Sequence, residues 1–254
     1  MNTNFSWFFD EDYVEEAYLG RGGFGSVYRV NVGGDAFAIK QVHARNGPTE
    51  RWYQQRLDHP NILKCLAGKK APAGQYDLLL EYAPFGSLQS VIEAYGYVER
   101  WTAYGFYRQL LSALKHMHEK DFCHWDLHPK NILVFSTKLI KLGDFGCTCT
   151  MGTDFEVLRS GHRGPPEASD GLWEDGIQLD LWCAAFVYLR CLIGKRPWEK
   201  ASMGCPEYAA FQRDNLHALI AMDQRWKLAS ADFRFLRRIL HHDPKQRLVP
   251  SCYS

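Results

Sequence analysis

The stretch from Phe122 to Gly146, FCHWDLHPKNILVFSTKLIKLGDFG, constrains this chain more than any other. Asp126 and Asn131 stand on one tight loop, and Asn131 leads into an apolar run, Ile132 to Phe135, that reads as a strand. A second run, Lys138 to Leu142, returns toward Asp144, so a hairpin would bring Asp144 back beside Asn131. Two carboxylates and an amide oxygen gathered this way suit a hard cation and a base. Such a set can hold metal-bound phosphate against a hydroxyl nucleophile.

The rest of the composition narrows the class of chain that carries this stretch. With 254 residues, 46% of them hydrophobic, one or two domains with a sizeable core are expected. A formal net charge of +1 argues against nucleic acid or a membrane surface as the main partner. No apolar stretch with a charged flank opens the chain, so no secretory signal is expected. The longest apolar run, Leu181 to Ile193, is interrupted by Arg190 and reads as too short to span a bilayer. Cys147 and Cys149 form a C-x-C beside the acidic cluster and invite a zinc reading. No second Cys or His pair has the matching spacing, so the eight cysteines read as reduced thiols. A reducing compartment, cytoplasm or nucleus, is the expected location.

Periodicity divides the chain in two. Alternation through Val27–Val30 and Ala36–Lys40 with a Gly33-Gly34 turn between them reads as a hairpin. Ile62 to Leu66 and Tyr76 to Tyr82 are further strands, and Glu50 to Leu57 reads as a short helix ended by Asp58-His59-Pro60-Asn61. Ala83 to Ser87 is a turn-rich link. Beyond it, Phe106, Leu110, Leu111, Leu114 and Met117 recur at helical spacing, and Leu179 to Ile193 is apolar nearly all round, as a central buried helix would be. Glu207 to Ile220 and Ala231 to His241 are further helices. A β-rich lobe, a hinge and an α-rich lobe follow.

Gly20-Arg21-Gly22-Gly23-Phe24-Gly25-Ser26-Val27 fits G-x-G-x-x-G-x-V. Dinucleotide-binding folds share its first six positions, but their glycine loop opens a helix, whereas a strand and a Gly-Gly turn follow here. Glycines between two strands let backbone N–H groups approach phosphates. Taken with Ala38-Ile39-Lys40, His124-Trp125-Asp126, Asn131 and Asp144-Phe145-Gly146, all in order, the chain resembles the eukaryotic protein kinase family, Ser/Thr type. The resemblance runs from Leu19 to Arg247.

It implies an α+β, two-lobed protein kinase fold. Residues 1–12 would be an extension and 13–254 the kinase domain, with the N-lobe to about 82, the hinge at 81–87 and the C-lobe beyond. The chain stops at Ser254, so the family's usual last helix is expected to be lacking. The implied cofactors are ATP and Mg²⁺, and the implied partner is a protein substrate. Leu19 to Val27, with Ala38 and Leu133, would enclose the nucleotide. Leu80 would gate the adenine pocket, and the backbone of Glu81 and Ala83 would bind the base. Lys40 would hold the α- and β-phosphates with Glu50 as its partner, Asp126 would accept the substrate proton, and Asn131 and Asp144 would bind the metal. His124 is expected to pack beneath the loop. Asp180 would bond the catalytic-loop backbone, and Arg247 would pair with Glu167.

Departures from the family pattern are as informative. Gln54 stands where an apolar residue would face the phenylalanine of D-F-G. Trp125 replaces the arginine that would clamp a phosphate on the activation segment, Cys147 to Glu167, and an indole cannot make bidentate bonds to phosphate. His128 replaces a lysine, which points to a slower enzyme. Pro129 and Ser160 follow the Ser/Thr pattern. Two finer similarities are slighter: Glu81 to Leu88 is similar to the SH3-binding kinase subfamily, and the compactness looks like kinases of large DNA viruses, which would place the protein in a host cell. A pseudokinase acting as a nucleotide-binding or protein-binding scaffold is the alternative that Trp125, His128, Gln54 and the expected lack of the last helix motivate. A small-molecule kinase is disfavoured by Gly164-Pro165-Pro166-Glu167 and Asp180, which resemble a protein-substrate platform.

Overall fold

The computed structural model describes residues 5–10, 13–23, 25–152, 155–156, 164–170, 172–173, 175–226 and 228–251. Five antiparallel strands form the first lobe: β1 Val14–Arg21, β2 Gly25–Val32, β3 Asp35–His43, β4 Cys65–Ala71 and β5 Gln75–Glu81, in the order β1-β2-β3-β5-β4. Alternation sends successive side chains to opposite faces. On β3, Ile39 joins Val30, Ala67 and Leu79 on one face, while Ala38 and Val42 join Leu63, Tyr76, Leu78 and Leu80 on the other.

The first of these faces is closed by a short helix, α1 (Ser6–Phe9), whose Phe8 is fully buried there. Burying a phenylalanine side chain stabilises by roughly 1.5–3 kcal/mol. Lys69 fixes the helix end by donating to the Phe8 carbonyl at 2.7 Å, with its ammonium 5.0 Å from the Phe8 ring centre.

Between β3 and β4 runs α2 (Gly47–Gln54), which opens three residues before the expected Glu50. Pro48 explains this: in a first turn its missing N–H costs nothing and its fixed φ suits the helix. The expected strand Ile62 to Leu66 is also displaced, to Cys65–Ala71. Ile62 and Leu63 instead cross to the second lobe, where the Leu63 N–H donates to the Leu142 carbonyl at 2.8 Å and Ile62 is fully buried.

The second lobe contains α3 (Leu88–Tyr95), α4 (Arg100–His118), β6 (Phe122–Cys123), β7 (Ile132–Ser136), β8 (Leu139–Leu142), β9 (Cys149–Thr150), α5 (Gly176–Ile193), α6 (Pro206–Gln212), α7 (Leu216–Met222) and α8 (Ser230–Ile239). The α4 stripe of Phe106, Leu110, Leu111, Leu114 and Met117 is buried in one core with α5. Helix α5 begins earlier than its apolar run, capped by Asp175 on the Gln178 N–H, and at 18 residues it is long and apolar enough to cross a membrane. In this fold 78% of it is buried inside the protein, as the central helix of the lobe. The expected helix Glu207 to Ile220 is two helices. Asp214 takes a left-handed backbone (φ 60°), and the Asn215 side chain accepts the Ala218 N–H at 2.9 Å to start α7.

Candidate active site

The loop between β6 and β7 is organised from below by Asp180 on α5. Its buried carboxylate accepts the His124 N–H at 2.8 Å and the Trp125 N–H at 3.0 Å, and His118 donates to it from α4 at 2.9 Å. Held there, Trp125 adopts a left-handed backbone (φ 63°), which costs an L-residue roughly 1–2 kcal/mol. The turn delivers Asp126 to the cleft. Asn131 then ties the loop: its Nδ2 donates to the Asp126 carbonyl at 2.8 Å and to Asp126 Oδ2 at 3.2 Å.

The β7–β8 hairpin closes as the sequence suggests, with Ile132 opposite Leu142. The Gly143 N–H then donates to the Asn131 carbonyl at 2.8 Å, which sets Asp144 beside Asn131. His124 is fully buried, donates from Nε2 to the Gly143 carbonyl at 3.1 Å and meets the Phe145 ring edge-on at 5.4 Å. These contacts are those of a packing residue.

Lys40 bridges the lobes. Its ammonium lies 2.6 Å from Glu50 Oε1 on α2 and 2.8 Å from Asp144 Oδ1. Burial disfavours the charged ammonium, but the two carboxylates outweigh it, and Lys40 titrates above its ordinary value. Asp144 is thus engaged by Lys40, a contact that the sequence does not reveal. One turn beyond Glu50, Gln54 is buried and spends its Nε2–H on the Leu63 carbonyl at 2.6 Å, while its Oε1 has no hydrogen-bond partner among the described residues.

The residues expected around a nucleotide fall on the edge of the same cleft. Leu19, Gly20 and Arg21 end β1, and Gly25, Ser26 and Val27 begin β2. The Gly22 N–H donates to the Gly25 carbonyl at 2.8 Å across the loop; Phe24 lies outside the described residues. Gly25 serves the sheet: a Cβ there would come within 1.8 Å of the Gln41 carbonyl oxygen on β3. Ala38 and Leu80 are buried together, with Val27 and Leu133 packed against them as an apolar slot between the lobes. The Glu81 side chain is fixed by Lys141, which donates to both carboxylate oxygens at 2.8 and 2.7 Å, and by the Lys64 N–H at 2.9 Å. Sequence reasoning missed Lys141. Its only signal is a lysine inside an otherwise apolar strand.

The donor chemistry fits magnesium and a polyphosphate. With the Asn131 amide nitrogen committed to Asp126, its Oδ1 is the atom left to meet a cation, next to the Asp144 carboxylate. Hard oxygen donors of this kind suit Mg²⁺, which keeps few protein ligands and shares the rest with phosphate and water.

On the opposite side of the loop charge gives way to packing. Trp125 is buried, with its indole beside Cys149 across the β6–β9 pair; burial lifts the Cys149 thiol to about 11. Burial also pushes the Cys123 thiol far up. Gly176 admits this cluster, since a Cβ there would lie 2.6 Å from the Cys123 sulfur. Cys147 and Cys149 are buried as reduced thiols. Among the described residues, the one His, Cys and carboxylate group close enough to share a metal is His118, Cys123 and Asp180, and the Asp180 oxygens are spent on the loop. Farther along, Arg247 forks onto Glu167, with Nη2 2.6 Å from Oε2, and lies 4.6 Å over the Trp182 ring. Ser160 is outside the described residues.

A protein kinase domain profile matches residues 13–252. The chain therefore belongs to the protein kinase domain family. It is 28% identical over 95% of its length to a probable serine/threonine-protein kinase mkcD of Dictyostelium discoideum, and the match covers 39% of that protein. It is likewise 28% identical over 95% of its length to the serine/threonine-protein kinase grp of Drosophila melanogaster, covering 49% of it. Over 78% of its length it is 31% identical to the serine/threonine-protein kinase chk-1 of Caenorhabditis briggsae, covering 43% of that chain. The chain thus spans less than half the length of these curated relatives.

Proposed function

We propose that this protein transfers the γ-phosphoryl group of ATP to Ser or Thr hydroxyls of protein substrates. The observation that carries the reading is the convergence of Lys40, Glu50, Asp126, Asn131 and Asp144 in one cleft of a protein kinase domain. The relatives named as serine/threonine-protein kinases, together with Pro129 in the catalytic loop, support the choice of hydroxyl.

Lys40, held between Glu50 and Asp144, presents a fixed positive charge to the α- and β-phosphates. The apolar slot of Val27, Ala38, Leu80 and Leu133 takes the adenine, with the backbone at Glu81 and Ala83 for its polar edge. Asp126 orients the acceptor hydroxyl and takes its proton as the oxygen bonds to the γ-phosphorus and the β–γ bridging oxygen leaves with ADP. Asn131 and Asp144 would hold Mg²⁺, which supplies charge neutralisation on the phosphate oxygens. Catalysis of this kind is positioning and electrostatics rather than covalent chemistry.

The test is transfer of labelled phosphate from ATP-Mg²⁺ to a mixed Ser/Thr/Tyr protein substrate, beside Asp126→Asn and Lys40→Met. Label on Ser and Thr that vanishes in both variants is the expected result. Nucleotide binding without any transfer would favour the scaffold reading, which Trp125, His128 and Gln54 motivate.

A further inference from the structure

Resting on that reading, we infer that His128 is a positioning residue for the Asp126 carboxylate, acting through its Nε2. Two contacts settle how the ring is used. Its Nδ1 accepts the Lys130 backbone N–H at 3.2 Å, at the start of the tight turn Pro129–Asn131. An atom that accepts a backbone proton carries a lone pair, so in the neutral ring the proton sits on Nε2. Nε2 stands 3.5 Å from Asp126 Oδ2, with both side chains largely buried, at 13% and 14% exposed.

Oδ2 is also the oxygen that receives the Asn131 Nδ2 at 3.2 Å. The Asn131 amide hydrogen-bonds this oxygen while the His128 Nε2 approaches it to 3.5 Å, so both side chains of the turn face a single carboxylate oxygen. Catalytic contacts of this length tighten when the reactants bind. The arrangement differs from a lysine at the same place. A lysine has no acceptor atom, so it cannot be held by the Lys130 N–H, and it brings a mobile charge that a phosphate can compete for. The imidazole is clamped on one side and directed on the other. The backbone supports the clamp, because the Asn131 N–H donates to the His128 carbonyl at 2.9 Å and ties both donors into one turn.

The two ring nitrogens can be replaced separately. In His128→Asn the side-chain oxygen can still cap the turn at the Nδ1 position, but nothing reaches Asp126. In His128→Gln the amide nitrogen reaches the Nε2 position, but the cap is lost. With the wild type active, His128→Asn is expected to keep its melting temperature and its KM for ATP while kcat falls about tenfold, the loss of one good hydrogen bond to a charged group. His128→Gln is expected to recover most of that kcat. The reverse order, an active Asn variant and an impaired Gln variant, would mean that His128 only caps the turn and would overturn the inference.

A second readout needs no activity. Nitrogen-15 NMR of the histidine rings is expected to show His128 as the Nε2–H tautomer, with that resonance moved by Asp126→Asn. A ring protonated on Nδ1 alone, or an Nε2–H blind to Asp126→Asn, would overturn the inference even if the kinase reading stands. A wild-type protein that transfers no phosphate would overturn the kinase reading, and the NMR result would then decide the contact by itself.

Discussion

The two sides of the catalytic loop are built on opposite principles. On one side, three charged groups from three separate parts of the chain meet within 2.8 Å, with Lys40 and Glu50 buried and Asp144 partly open to solvent. Toward the segment that follows D-F-G, Trp125 fills its place with an indole packed near Cys123, Cys149 and Gly176. The difference shows which task needs charge. Phosphates are held by cations, metal ions and hydrogen-bond donors, whereas a loop can be set in place by packing as well as by an ion pair. A protein built this way carries an indole where the family places a phosphate clamp and keeps the charged groups that the proposed reading assigns to phosphate.

Breaking the charged wall should have the largest effect. Lys40→Met leaves Glu50 and Asp144 without their cation, and phosphoryl transfer is expected to fall by about 10²–10⁴-fold while the far-UV spectrum stays native. A variant with near-normal transfer would show that the ion cluster is structural only. Breaking the packed wall should instead be read in stability. Trp125→Ala removes a buried aromatic and is expected to cost about 3–5 kcal/mol in denaturant unfolding; a loss under about 1 kcal/mol would mean the indole is not packed as described.

An ion pair farther from the chemistry sharpens the contrast. Arg247→Leu strips the buried fork from Glu167, and about 3 kcal/mol of stability should go with it, since Glu167 keeps partial access to water. Gln54→Leu should change stability by no more than about 1 kcal/mol, because the bond lost to the Leu63 carbonyl is offset by removal of an Oε1 unpartnered among the described residues. The smallest signal is chemical. With their thiols raised by burial, Cys123 and Cys149 should resist iodoacetamide at pH 8 until the protein unfolds, whereas labelling of both at the rate of a free thiol would show that the packed wall is open.

Much of this could be read from the residues alone, and the limits follow physical lines. The hairpin that returns Asp144 to Asn131 was legible because both strands are short, apolar and linked by a tight turn. The pairing of Lys40 with Glu50 and the role of Asp180 came from the resemblance to the kinase pattern, in which Asp180-Leu181-Trp182 matches a buried-helix element. What stayed hidden depends on contacts between distant parts. Ile62 and Leu63 read as a strand, but their best partner is Leu142, 79 residues from Leu63, and no local pattern encodes that choice. The break between α6 and α7 was missed because hydrophobic periodicity continues through it, while a left-handed Asp214 and the cap at Asn215 end the helix. Lys141, which fixes Glu81 at the hinge, looked like an ordinary strand lysine.

The central prediction is that transfer does not depend on a phosphate held on the segment through this position, because Trp125 stands where an arginine would receive one. The most direct measurement is the initial rate of transfer from ATP-Mg²⁺ to a Ser/Thr protein substrate before and after complete phosphatase treatment, with the phosphatase removed and Asp126→Asn run alongside. An unchanged rate that vanishes in Asp126→Asn is the predicted result. A rate lost on dephosphorylation and regained on rephosphorylation would contradict the account.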